Sequence, residues 1–168
     1  MKPKKDKNYS LEELEQIARS VRKEIISMLE RAGSGHPGGS LGLADIMTAL
    51  YFSVLKHNPK KPNWSERDIL VLSNGHTVPA QYAAMALAGY FDRKELETLR
   101  KLGSRLQGHP ERVKLPGMET TSGPLGCGLS QAIGMALAHR LNQQPYRWVY
   151  CIMGDGELNE GNVWEAAM

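Results

Sequence analysis

Apolar positions at the start of the chain recur at helical spacing. Leu11, Leu14, Ile17, Ala18, Val21, Ile25, Met28 and Leu29 fall on one face of a helix of about 3.6 residues per turn, which predicts an apolar stripe turned to a core. Ser10-Leu11-Glu12-Glu13 opens that helix as a capping box, with hydroxyl and carboxylate each able to accept a free backbone N–H. Gly33 sits where it stops. The Gly-rich stretch 33–40 predicts a loop, Leu43 to about Lys56 a largely buried helix, and Asn58 to Asn63 another loop.

Ile69-Leu70-Val71-Leu72 is apolar without alternation, as in a parallel strand buried on both faces. An Ala-rich helix follows over Pro79–Ala88, then a helix capped by Asp92 and running to about Leu102. Gly103 to Gly123 is loop-rich, Leu129 to Leu141 helical, and Arg147 to Met153 a second strand. Asn162 to Met168 begins a helix without a closing cap. Helices alternating with strands predict an α/β domain, a parallel sheet flanked by helices. Two strands are few for such a sheet, so the pattern predicts one domain over residues 9–168, cut short at the C-terminus. Trp148, Met153 and Trp164 are expected in the core, Cys127 in packing, and His57 and His139 in structural roles.

Charge changes this picture little. Met1 to Asn8 holds four Lys and one Asp, which accounts for the whole formal +3, and the body carries 17 basic and 17 acidic residues. The isoelectric point near 8.9 therefore belongs to a disordered basic tail over residues 1–8, and no basic face for nucleic acid is expected. No apolar run is long enough to span a bilayer, and the N-terminal lysines lead into no apolar segment of a signal peptide. Two cysteines without zinc-site spacing fit a reducing cytoplasm.

The candidate chemistry lies in loops that follow the strands, where open α/β sheets bind ligands. Gly154-Asp155-Gly156 follows the second strand. Its glycines allow close approach of an anion, and its carboxylate could meet phosphate through Mg²⁺; taken alone, the tripeptide fits a strand-to-helix turn with a capping Asp at least as well. His36, His76 and His109 each sit in a Gly- or Pro-bearing loop, and together they suggest a polar pocket with acid–base capacity. Any one of them alone fits a loop histidine bonded to backbone. Gly123 to Gly128 precedes a helix start, which suits either a phosphate or a flexible connection.

Read in order, five segments resemble the N-terminal region of transketolases: Ser34-Gly35-His36-Pro37-Gly38-Gly39, Leu72-Ser73-Asn74-Gly75-His76, Gly108-His109-Pro110-Glu111, Thr121-Ser122-Gly123-Pro124-Leu125-Gly126 and Gly154-Asp155-Gly156-Glu157-Leu158-Asn159-Glu160-Gly161. Val163-Trp164-Glu165-Ala166-Ala167-Met168 continues the likeness, which covers nearly everything after Tyr9. It is nearest to the N-terminal half of split, two-chain transketolases. The resemblance implies a thiamine-diphosphate-binding fold and transfer of a two-carbon ketol unit between sugar phosphates, as in the pentose phosphate pathway. It implies Asp155 as a ligand of Mg²⁺ (or Ca²⁺ or Mn²⁺), Gly156 against the diphosphate, and Gly123 and Leu125 lining the cofactor. His36, His76 and His109 correspond to histidines around the cofactor and the donor sugar, and Glu160 to a carboxylate near the family's dimer interface. A pyrimidine-binding partner chain or domain and a homo- or hetero-oligomer are implied as well.

Two features depart from the family pattern. The Asn-bearing segment that completes the family's metal site lies beyond Gly156, and only 12 residues follow that glycine here. Cys127 and Asn159 stand where relatives often carry Gln, an exchange expected to be tolerated. The expectation for these residues is the N-terminal part of a transketolase, inactive alone. The alternatives are another thiamine-diphosphate ketol enzyme, such as deoxyxylulose-phosphate or dihydroxyacetone synthase, or a non-catalytic remnant.

Overall fold

The structure, a computed structural model, describes residues 8–143 and 147–168. The expected basic tail lies, except for Asn8, outside the described residues. Helix α1 spans Leu11–Ala32 and opens on the capping box, with Ser10 Oγ accepting from the Glu13 N–H and Glu13 from the Ser10 N–H. It ends at Gly33, whose φ of 63° is the left-handed conformation glycine takes most cheaply.

Residues 33–56 depart from the expected loop and single helix. Helix α2 (Pro37–Gly42) begins inside the Gly-rich stretch, α3 (Ala44–Ala49) follows, and Leu50–Val54 forms a wider π turn. Pro37 explains the early start, because its fixed φ suits the first helical position and its missing N–H costs nothing there. The helix expected after Asp92 is shorter and tighter, a 3₁₀ segment over Arg93–Thr98. Asp92 does cap it, accepting from the Lys94 N–H, but Arg100 turns into the left-handed region at φ 61° and no helix continues.

Strands β1 (Ile69–Leu72) and β2 (Val149–Ile152) pair in parallel, Leu72 opposite Ile152. Helix α4 (Val78–Ala88) and α5 (Cys127–Leu141) cover opposite faces of β1. Leu70 and Leu72 join the main core with α1, α3 and α4, whereas Ile69 and Val71 pack with Ala132 of α5. That is the two-sided cover a parallel strand needs. Helix α6 (Gly161–Ala167) closes the described chain.

The tryptophans correct the expected core: Trp148 is 70% and Trp164 60% exposed, and Met153 is half-buried. Trp148 immediately precedes β2 and Trp164 lies on α6, where its ring N–H is satisfied locally by the Leu158 carbonyl at 2.8 Å. His57 is structural as expected. Its Nε2 donates to the Tyr51 carbonyl at 2.7 Å, which leaves Nδ1 to accept from the Tyr90 hydroxyl at 2.9 Å. His139 is buried at the last turn of α5.

Candidate active site at the carboxyl ends of the strands

Because β1 and β2 run parallel and in step, their following loops leave the sheet at one edge. The Ser73 N–H still donates to the Ile152 carbonyl at 2.9 Å, which extends the pairing one step into the loop. Beyond it the chains diverge into Asn74-Gly75-His76 and Gly154-Asp155-Gly156. They remain adjacent: a Cβ built on Gly154 would lie 3.8 Å from Asn74 Nδ2.

Three further loops close on this edge, and glycines permit it. A Cβ on Gly75 would come within 2.7 Å of Ser122 Oγ, 2.9 Å of the Ser122 carbonyl and 3.0 Å of Pro110 Cδ. Any side chain there would push apart the loops carrying His76, His109 and Gly123. A Cβ on Gly39 would meet Thr77 Cγ2 at 2.8 Å, so α2 rests directly on the turn behind His76. Ser122 Oγ fixes its loop by donating to the Leu72 carbonyl at 2.7 Å.

The three loop histidines meet as a result. The His36 and His76 ring centroids are 5.2 Å apart, and those of His36 and His109 are 6.4 Å apart. A Cβ on Gly123 would lie 3.8 Å from His109 Cδ2, placing that glycine against the same cluster. His76 is half-buried, while His36 and His109 are open to solvent. Partial desolvation within the cluster lowers the His109 pKa, and Arg100, His36 and His76 add to the shift by repulsion. Folding therefore favours neutral His109. The unfolded chain binds its proton more readily, so this residue's contribution to stability is fully present above the ordinary histidine value of about 6.5 and is lost as pH falls from there through the lowered folded value. NMR titration is expected to show the His109 imidazole with a midpoint below that value; a midpoint above it would contradict the clustered geometry.

Asp155 and Gly156 are exposed, and nothing lies within 4 Å of a Cβ built on Gly156. Leu125 is 38% exposed at the start of α5. Glu160 is exposed in this chain and packs on the Gly126 backbone, where a Cβ would meet it at 2.8 Å. Among the described residues no group of three or more His, Cys, Asp or Glu is arranged for a metal ion.

The sequence reading missed the carboxylate that organises this edge. Glu157 is 1% exposed. Its Oε1 accepts from the Ser73 hydroxyl and, at 2.8 Å, from the Gly126 N–H, and its Oε2 accepts from the Gly154 N–H at 3.0 Å. Ser73 Oγ in turn accepts from the Gly128 N–H at 3.0 Å. The N–H groups of Gly126 and Gly128 at the start of α5 are thus spent inside the protein. This corrects the phosphate option for the Gly123 to Gly128 stretch, because those two donors are no longer free for an anion. The signal available in sequence was an acidic residue directly after Gly-Asp-Gly in a body without surplus charge.

The site fits a diphosphate carried with a divalent cation. Asp155 offers an exposed carboxylate, Gly156 leaves open space, and Asn74, whose Nδ2 lies beside Gly154, has a buried Oδ1 with no hydrogen-bond partner among the described residues. A groove between α1 and the 93–98 segment holds the ion pairs Glu24–Arg93 and Arg31–Glu97 beside Lys23 and Lys94, and neither Asp155 nor any of the three loop histidines lines it.

The family described as "Transketolase, thiamine diphosphate binding domain" matches residues 14–168. The chain belongs to that family. It is 46% identical over 156 residues to one chain of the 6-deoxy-6-sulfo-D-fructose transketolase of Clostridium sp. (strain MSTE9), covering 93% of this chain and 56% of the relative. It is 40% identical to one chain of the apulose-4-phosphate transketolase of Phocaeicola vulgatus, covering 94% and 56%. The crystal structure of transketolase from Campylobacter jejuni superposes with a TM-score of 0.85 at 40% identity, over 94% of this chain and 26% of that one. The expected α/β class is therefore shown, and the chain spans about half the length of the two curated relatives it matches.

Proposed function

We propose that this chain supplies the diphosphate-binding half of a transketolase-type enzyme, which transfers a two-carbon ketol unit from a ketose to an aldose. The observation that carries the reading is the meeting of the His36, His76 and His109 rings at the strand edge from which Asp155 departs, within a member of this family. When bound, thiamine diphosphate supplies the nucleophilic carbon and the electron sink for breaking a ketose carbon–carbon bond. Asp155 would hold Mg²⁺, Gly156 would leave the diphosphate room, and Gly123 and Leu125 would border the cofactor. One carboxylate supplies only part of the oxygens that such an ion takes.

The chain's own part in the chemistry is positioning and proton handling. His36, His76 and His109 hydrogen-bond the sugar hydroxyls and relay protons, since an imidazole ring carries both a donor and an acceptor nitrogen. The substrates are sugars with an acidic terminal group: the names of the two relatives specify a sulfo group in one and a phosphate in the other. A pyrimidine-binding partner chain completes the cofactor site, and Glu160 faces that assembly. We place the enzyme in the cytoplasm; Cys127 and Cys151 are free thiols, and burial pushes the Cys151 pKa up to about 11, leaving it unreactive. No described helix is long and apolar enough to cross a membrane.

Mixing the protein with its pyrimidine-binding partner, thiamine diphosphate and Mg²⁺, and following ketose-to-aldose transfer, tests the reading. Transfer that requires all four components is expected. A partner that turns over equally well without this chain would overturn the proposal.

A further inference from the structure

The groove between α1 and the 93–98 segment plays no part at the sheet edge. It measures about 380 Å³, the size of a small-molecule site. Met28 and Leu96, both buried, close its floor. Two ion pairs cross it and tie its walls together. Glu24–Arg93 stands at one end, and Arg31–Glu97 crosses about two helical turns further along α1.

The charges in this groove do not cancel. Four basic side chains and two carboxylates line it, and the surplus lies at one end. Lys23 adjoins Glu24 on α1, and Lys94 adjoins Arg93 on the facing segment. Both lysines are exposed, and among the described residues neither makes an ion pair. Arg93 adds donors of its own. Its side chain is 53% exposed against 20% for Glu24, so the guanidinium lies toward solvent and its carboxylate partner is covered. A guanidinium has five N–H donors, and among the described residues only Nη2 of Arg93 is spent, on Glu24. Asp92 does not neutralise this end either, because its carboxylate accepts from the Lys94 N–H at 2.9 Å.

Three cations around one covered carboxylate suit an oxyanion that carries more than one charge. Lysine binds phosphate as a point charge, here from two walls, and the Arg93 fork can take a further oxygen. A phosphate monoester carries about −1.5 to −2 at pH 7, which matches the surplus of two positive charges; a single carboxylate would meet half of it.

We propose that this end of the groove is a second ligand site, which binds a small molecule through its phosphate group between Lys23 and Lys94, with Arg93 as a third contact. The test is a titration of inorganic phosphate into the full protein, followed by NMR at Lys23, Arg93 and Lys94, with chloride at matched ionic strength as the second arm. Saturable shifts with phosphate and none with chloride are expected. In K23Q/K94Q the midpoint is expected to move to about tenfold more phosphate or beyond. Because both lysines are exposed, the double variant is expected to fold as the parent does, with an unchanged thermal midpoint as the check. Equal shifts in the two salts, or an unchanged midpoint in K23Q/K94Q, would overturn the proposal. So would phosphate shifts confined to His36 and His109, which would place the anion at the sheet edge instead.

Discussion

Replacing Glu157 with alanine is expected to cost about 3 to 5 kcal/mol of folding stability, more than an ordinary core truncation of a polar residue. The carboxylate has no access to water, and it holds three donors from three different loops: the Ser73 hydroxyl, the Gly126 N–H and the Gly154 N–H. Alanine leaves the Ser73 hydroxyl and the Gly126 N–H buried and the Gly154 N–H half-buried without acceptors, at about 1 to 3 kcal/mol for each buried donor before relaxation. It also leaves a void behind the loop that carries Asp155. Glu157→Gln is expected to fall between, because its amide keeps one acceptor and turns an NH₂ toward a neighbouring N–H. Urea unfolding of the full protein measures both. A loss below about 1 kcal/mol for Glu157→Ala would mean that the three loops are held by something other than this carboxylate.

Asp155→Asn is expected to act in the opposite way, on binding and hardly on stability. Asp155 is exposed and makes no capping hydrogen bond, so its removal disturbs little of the fold. The neutral amide is a far weaker ligand for a hard dication, and loss of a single supporting interaction around a metal already costs about 10- to 100-fold in affinity. Calorimetric titration of thiamine diphosphate into the assembled protein at fixed Mg²⁺ is expected to show affinity reduced by about 100-fold or more. Unaltered affinity would remove Asp155 from the metal's shell. Together the two variants separate the residue that shapes the edge from the residue that meets the ligand.

Much of this arrangement was legible in the sequence because it depends on local rules. The α1 stripe and its capping box follow from spacing and side-chain chemistry, and both stand in the structure. The unalternated run Ile69–Leu72 announced a strand covered on both faces, as α4 and α5 cover it. The meeting of His36, His76 and His109 was legible only as a set of loops sharing one sheet edge. Its tightness comes from Gly75 and Gly39, whose missing side chains let loops touch.

What stayed hidden was long-range. Nothing near Glu157 indicates that its partners lie at Ser73 and Gly126, 84 and 31 residues away. The tryptophans misled because their size suggests burial, whereas exposure depends on what covers β2 and α5. The short segment after Asp92 misled because Leu99 already leaves helical backbone, at ψ 128°, before the left-handed Arg100, and neither turn has a sequence signal of its own.

We propose that one sheet edge gathers a carboxylate for the metal and three imidazoles for the sugar around a single cofactor. A crystal structure of the protein assembled with its partner, grown with thiamine diphosphate and Mg²⁺, tests it most directly. The metal and diphosphate are expected on Asp155 beside Gly156, with the reactive ring of the cofactor facing His36, His76 and His109. Cofactor bound away from Asp155, or with its reactive ring turned from all three imidazoles, would contradict it.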